Sequence, residues 1–306
     1  MPQTATGSRH SLALIAEVTY GVTPATPAFV NVRHTSCSLG LSKSSFEGDE
    51  LRSDRQIQSF RHGNRTIAGA VGFLLSDTSH DTLLEACLGG TWAANVLKAG
   101  VIRRSFTMER HFTNLDIPEY HRYLGCEVSK MSLNVKPDAM VSGSFDIIGQ
   151  SMSTPATAII TGATYGAATT TLSMDSFSGT INEGGAPIAI ITGIDFTLEN
   201  GINTLFVIGS ANTLQPGVGK SRVSGTVTAF FQSAALLNKF INETASSFNF
   251  TVTDGASGNS FLFSFPNIRY NGGQPDVQGE GEVSLSMPFI ALYNAADLSQ
   301  IVITRV

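Results

Sequence analysis

Three groups of residues have types and spacings that chemistry could use. Pro216-Gly-Val-Gly-Lys220-Ser221 ends in the Gly-Lys-Ser of a phosphate-cradling loop, where backbone N–H groups wrap the phosphates and the lysine reaches them. The first glycine of that motif falls on Leu214, and an apolar strand pattern follows where a helix is required, so the segment reads as a turn. His111 and His121 are ten residues apart with no carboxylate pattern that would orient both, which favours surface or turn positions. Glu280 and Glu282 share one face of an expected strand, where general acid–base work could use them, but a solvated β face accounts for them equally well. Neither G-x-S-x-G nor H-E-x-x-H occurs, and Trp92 is the only tryptophan, too little for a stacking platform. The sequence predicts no enzyme and no catalytic, cofactor-binding or metal-ligating residue.

The densest run of mixed charge holds Glu47, Asp49, Glu50, Arg52, Asp54 and Arg55, between two strand candidates. It is either a wet loop or a hairpin, reaching over 46–62, that meets a neighbouring copy head to tail. These six side chains are the candidate contact residues.

Alternation of apolar and polar residues marks strands over 66–75, 104–110, 125–135, 141–148, 188–198, 222–231, 248–253, 260–270 and 282–289. Helical spacing occurs twice, over 79–88 (Leu83, Leu84, Cys87, Leu88) and 233–242 (Leu236, Leu237, Phe240, Ile241). Each helix follows a strand directly.

The two halves carry the same series. Residues 67–75 lie over 223–231 at an offset of 156, which sets Gly69 on Gly225; Leu83, Leu84, Cys87 and Leu88 then lie over Leu236, Leu237, Phe240 and Ile241 at an offset of 153. A short strand and a longer pair follow each helix. We expect an internal duplication into units 1–152 and 153–306, joined near 150–168, where charge vanishes and Ser, Thr, Ala and Gly crowd together. Ile159, Ile160 and Leu172 argue that part of this junction packs or adds an edge strand.

Composition narrows the function. Only 14% of the 306 residues are charged against 42% hydrophobic, a balance for a packed, strand-rich chain rather than a disordered one. Residues 1–150 carry 14 basic and 14 acidic side chains and 151–306 carry 5 and 10, so the excess acid sits in the second half. No Lys or Arg lies between Lys136 and Lys220, which disfavours a basic stripe for gripping DNA. Cys37, Cys87 and Cys126 are odd in number and far apart, which points to free thiols, with Cys37 and Cys126 in buried strands. The N-terminal stretch lacks a basic start and apolar core, and no apolar run approaches the roughly 20 residues of a membrane span; the expectation is a protein made in a cytosol, without a membrane.

Five segments together resemble the tail tube proteins of long-tailed, siphovirus-like bacteriophages: residues 16–27, 50–57, 83–92 with 104–109, 125–135 and 223–252. The resemblance implies a mainly β fold of two tandem tail-tube-type β-sandwich or barrel domains, each flanked by one α-helix. It implies a structural virion protein, assembled in the host cytoplasm, whose inner sheets join into rings that stack head to tail into a hollow tube for DNA. Single-domain relatives would need six subunits per ring, so a duplicated chain would close it as a homotrimer with pseudo-hexameric symmetry. Implied partners are the chain itself, the tail terminator, distal tail or baseplate proteins, a tape measure protein in the lumen, and DNA in transit without tight binding. The 46–62 hairpin would reach the adjacent ring. The rival reading is another self-assembling virion component, a baseplate or capsid-decorating protein.

Overall fold

The computed structural model describes residues 3–176, 179–277 and 279–306; Met1 and Pro2, which open the N-terminal stretch considered above, lie outside them. Among the described residues twenty strands and two α-helices form in chain order. The first are β1 (His10–Ala16), β2 (Ala28–Val32), β3 (Ser36–Cys37), β4 (Gly40–Glu47) and β5 (Phe60–Leu74), followed by α1 (Asp81–Leu88). Next come β6 (Val96–Lys98), β7 (Phe106–Phe112), β8 (Glu119–Val135), β9 (Ser142–Gly149), β10 (Ser151–Met152) and β11 (Thr164–Gly166). Then follow β12 (Ile181–Glu183), β13 (Ala186–Pro187), β14 (Ile191–Glu199), β15 (Arg222–Phe230) and α2 (Ala235–Ile241). The chain ends with β16 (Ser246–Thr253), β17 (Ser260–Tyr270), β18 (Pro275–Asp276), β19 (Ser284–Ala291) and β20 (Val302–Arg305). The expected mainly β fold with two helices is present.

All of these strands connect through pairing into one large mixed sheet. Its centre runs in the order β4, β5, β9, β8, β14, β15, β19, with β3 continuing the β4 edge and the end of β17 with β18 completing the other. The seam between the halves is β8 against β14, where Val135 to Lys130 oppose Ile194 to Glu199. Two outer blades leave this centre. One is β11, β2, β1, β7 and the first half of β8, with β11 running parallel to β2. The other holds β12, β16, β17, β20 and, from the first half of the chain, β6. Strand β8 serves both the centre and a blade because it bends at Gly125, whose φ of +64° L side chains rarely adopt and whose added Cβ would stand 2.8 Å from Gln150.

Alternation along the central strands turns one face to the core. Ile67, Val71, Phe145, Met131, Leu133, Phe196, Leu198, Val223 and Phe289 are all buried in a single cluster that runs through both halves. In the second half the blade supplies aromatic rings: Phe265 meets Phe196 at 5.2 Å and Phe289 at 5.5 Å between centroids. Deleting one such ring costs about 3–5 kcal/mol, the lost burial plus the cavity left behind. In the first half α1 covers the core with Leu83, Leu84, Cys87 and Leu88, and ends on Gly89 in the left-handed conformation. Cys87 and Cys126 are buried and Cys37 is half-buried, all three as free thiols.

The stretch 150–168 is ordered against the first half. β10 pairs with β8, β11 pairs with β2, and Tyr165 stacks on Phe29 at 5.3 Å. The C-terminal strand returns to the first half as well, where Arg305 lies over the Trp92 ring at 4.1 Å.

His80, at the start of α1, is buried against Phe73 and donates from Nε2 to the Arg33 carbonyl oxygen at 3.0 Å, while its Nδ1 is buried without a partner. Burial lowers its pKa to about 4, against an opposing effect of the Arg33 carbonyl. An unfolded chain therefore binds more protons than the folded one between about pH 6.5 and pH 4, so stability is full above that window and falls as pH drops through it. His10, also lowered to about 4, acts in the same window. We expect the urea midpoint to fall between pH 6.5 and pH 4, and His80→Asn to flatten that fall; an unchanged slope would remove His80 from the account.

Candidate assembly surfaces

The second face of the central sheet is built from the residues that alternate with the core. Its registered rows are Ser142 with Asn134 and Asp195, Ser144 with Ser132 and Thr197, and Asp146 with Lys130 and Glu199, continuing to Thr226, Ser224 and Arg222 on β15. Short side chains dominate, and hydroxyls bond across the strands: Ser132 to Ser144 at 2.8 Å, Thr197 to Ser224 at 3.4 Å. Asn134 donates to Asp195, and Lys130 meets Glu199 at 3.4 Å. By strand register the charged side chains placed on this surface among the described residues include Lys130, Arg222 and Arg269 against Asp146, Asp195, Glu199 and Asp276. The same register brings Leu74, Ile148, Pro288 and Ile290 to this face, so the wall is mostly polar with scattered apolar residues, and its named charges nearly balance.

Strands β4 and β5 run past the core as a two-stranded arm, whose pairing shifts register between Lys43 and Ser45 and continues to Glu47 opposite Phe60. All six candidate residues sit at its tip or on its last pair, and Glu47, Asp49, Glu50, Arg52, Asp54 and Arg55 are all exposed. Arg52 grips Asp54 through Nε at 2.9 Å and Nη2 at 2.7 Å and donates from Nη1 to Gln58 at 2.5 Å. This bond holds the Asp54 pKa below its ordinary value. The structure brings Arg52 and Asp54 together and leaves the other four pointing to solvent without a side-chain partner to one another. What charge patterning missed is the apolar material interleaved with them: Phe46, Ile57 and Phe60 are more than half exposed and Leu51 fully so. An arm with this much apolar surface needs something to cover it.

A second loop occupies the corresponding place between β14 and β15. Residues 200–221 fold on themselves, with Asn203 N–H donating to Gly217 O at 3.2 Å and Leu214 N–H to Leu205 O at 2.8 Å. They lean on the arm, where Arg65 N–H donates to Ala211 O at 2.8 Å. Leu205, Val207, Ile208 and Leu214 are exposed, Ile208 completely. The turn expected at 216–221 does lie outside any strand or helix and leads into β15. The missed signal was the run of large apolar residues from Ile202 to Val218, in a stretch whose only charge is Lys220.

The other chemistry-bearing residues resolve as structure. His111 is buried, contrary to the expected surface position, because β7 places Glu109 two residues away on the same strand face. Glu109 is fully buried and accepts from His111 Nε2 at 2.7 Å, from Tyr165 Oη at 2.5 Å and from Arg122. Burial pushes its pKa up, but these three bonds outweigh burial and hold it below the ordinary value. His121 repeats the spacing, bonding Glu119 at 3.0 Å. The Glu109 cluster is saturated and enclosed, and it pins the 150–168 stretch to the first half. Glu280 and Glu282 precede β19 in an exposed connection, so the expected shared strand face does not exist. No group of three His, Cys, Asp or Glu fit to hold a metal occurs among the described residues.

No curated protein matches the chain. Residues 7–291 match the family described as phage tail tube protein, a span that takes in the polar wall, the arm and both helices. Over nearly its whole length, then, this strand-built and non-enzymatic chain belongs to the phage tail tube protein family, structural components of the tail of the virion.

Proposed function

We propose that three copies of this chain close a ring of pseudo-sixfold symmetry, that rings stack head to tail into a hollow tube, and that DNA passes along the polar wall. The observation that carries the reading is a repeated register. Ile67 to Leu74 oppose Gly149 to Ser142, and Val223 to Phe230 oppose Ala291 to Ser284, the same pairing moved by 156 residues on one strand (67 to 223) and 142 on the other (149 to 291). Gly69 and Gly225 fall on each other in this frame. A Cβ at Gly69 would lie 2.4 Å from Leu39 Cα and one at Gly225 2.5 Å from Asp195 O, so the same backbone approach is kept at both places. The pairs β7–β8 and β8–β9 correspond in order to β16–β17 and to β17 and β18 with β19. Units 1–152 and 153–306 are the two tube repeats on this reading, with β11 folded back on the first as a strap.

Each repeat gives four strands to the central sheet, so three chains supply 24 strands, and a closed barrel leaves no edge open to aggregation. The polar face turns inward. DNA presents one negative charge per roughly 1.7 Å of axis, and a wall of hydroxyls with a slight acidic excess neither binds nor stalls it. The arm and the 200–221 loop project to the next ring. At the tube's ends the terminator and distal tail or baseplate proteins cap the stack, and a tape measure protein fills the lumen before DNA does.

Negative-stain electron microscopy of the purified protein should show rings or tubes with three chains and six lobes per layer; six full-length chains per layer would overturn the trimer. Glu47→Lys, Glu50→Lys and Asp54→Lys together, or Leu51→Ser with Ile57→Ser, should shorten or abolish tubes while the thermal melt of the single chain stays within a few degrees. Tubes of normal length from both would free the arm of any stacking role. Ser132→Lys, Ser144→Lys and Thr226→Lys on the wall should leave tube assembly intact and slow DNA release from the phage, with the delay shrinking as salt rises. Unaltered release would place the wall elsewhere.

A further inference from the structure

The seam between β8 and β14 is a strand pairing between the two halves, and the chain carries the same two strand types again at its free edges. We propose that the ring closes by pairing residues 37–42 of one copy antiparallel to residues 272–277 of the next, with Cys37 opposite Val277, Leu39 opposite Pro275 and Leu41 opposite Gly273. The inference rests on the ring reading above and adds to it the partner strand and the register.

The equivalences come from hydrogen-bonded pairing alone. Ile194 opposes Val227 as Cys37 opposes Val71, and Leu198 opposes Val223 as Leu41 opposes Ile67, so Ile194 corresponds to Cys37 and Leu198 to Leu41. On the other edge Asn134 opposes Ser142 as Asp276 opposes Ser284, and Glu127 opposes Ile148 as Arg269 opposes Ile290, so Val135 corresponds to Val277. The seam pairs Ile194 with Val135, Phe196 with Leu133 and Leu198 with Met131. Carried to the free edges, those pairs become the register proposed.

Burial says that these edges lack a neighbour. Leu198 and Val135 are 0% and 5% exposed inside the seam, whereas Leu41 and Val277 are 37% and 70% exposed. Ile194 is 2% exposed, while Cys37 at the equivalent place is only half-buried, although its strand partner Val71 is fully buried. Among the described residues β3 and β4 pair only with β5, and β18 pairs only with β19. A second copy in the seam's own geometry covers Cys37, Leu41 and Val277 at once. Pro275 lacks an N–H, as befits a strand that stays at an edge until a specific partner arrives.

Directly opposed residues in an antiparallel pair have Cα atoms about 4.5–5.5 Å apart, inside the roughly 4.4–6.8 Å that a disulfide spans. Val277→Cys should therefore link to the native Cys37 of the neighbouring copy when assembled tubes are mildly oxidised, giving covalent dimers and trimers on a non-reducing gel. Cys37→Ser in the same background should abolish the link, and Asp276→Cys, whose side chain points to the other face, should not form it. Rings without the Val277→Cys link overturn the register and leave the ring standing; a chain that never forms rings overturns both. Hydrogen exchange on the unaltered protein is an independent readout. On assembly the amides of Leu39 and Leu41, which face the free edge because Ser38 N–H already donates to Ala70 O on β5, should slow by roughly tenfold or more, and unchanged exchange there overturns the pairing even if the cysteine variant fails to assemble.

Discussion

An extended strand has two hydrogen-bonding edges, and in the interior of a protein both must be filled. The second half of β8 meets that constraint with β9 on one side and β14 on the other, and the arrangement of the molecule follows from it. Because one strand serves both halves, the chain forms one continuous sheet rather than two beads on a linker. Backbone bonds alone make a weak joint, at about 0.5–1.5 kcal/mol net apiece. The seam is secured by what the pairing buries, since Met131, Leu133, Val135, Ile194, Phe196 and Leu198 are all 5% exposed or less. A pairing that also removes six large side chains from water is strong, and its register is fixed, because a slip of either strand by one residue would turn its three to the polar face.

That division of labour leaves the other face free. Stability is carried by the core side, so on the proposed tube the polar side is free to suit the DNA that passes over it. Ser and Thr suit a pleated sheet and satisfy their hydroxyls across strands, as Ser132 does with Ser144, without adding charge. Where charge does occur it is offset nearby: Lys130 meets Glu199. A single unpaired lysine row in this position would turn a passive wall into a binding site.

Strands with one wet and one dry face were legible in the sequence, and so were both helices, because burial on one side writes a period into the residues. Strand β4 was expected only as an unbounded candidate before the charged run, since it is exposed along nearly its whole length and has no dry face to impose alternation. The charged tip of the arm was found from composition, while Phe46, Leu51, Ile57 and Phe60 were overlooked because isolated apolar residues in a polar run look like noise until their shared exposure is seen. The Glu109 cluster was invisible for another reason. Its carboxylate-to-imidazole spacing of two is local, but its burial depends on Tyr165 and the returning β11 strap, a contact across 56 residues that no local pattern records.

The arm and the 200–221 loop both join a β4-type strand to a β5-type strand, so both leave the central sheet at the same end. Their chemistry differs: one tip mixes six charged side chains with apolar ones, and the other is charge-free and apolar through Val207 and Ile208. On the proposed ring the two types alternate around the rim. A rim of six identical contacts would let the next ring dock in any of six rotations. On the proposed ring an alternating rim would admit only three, because the other three would set the arm's charges where the apolar loop docks. On the proposed ring, the difference between arm and loop therefore halves the number of ways one ring can meet the next.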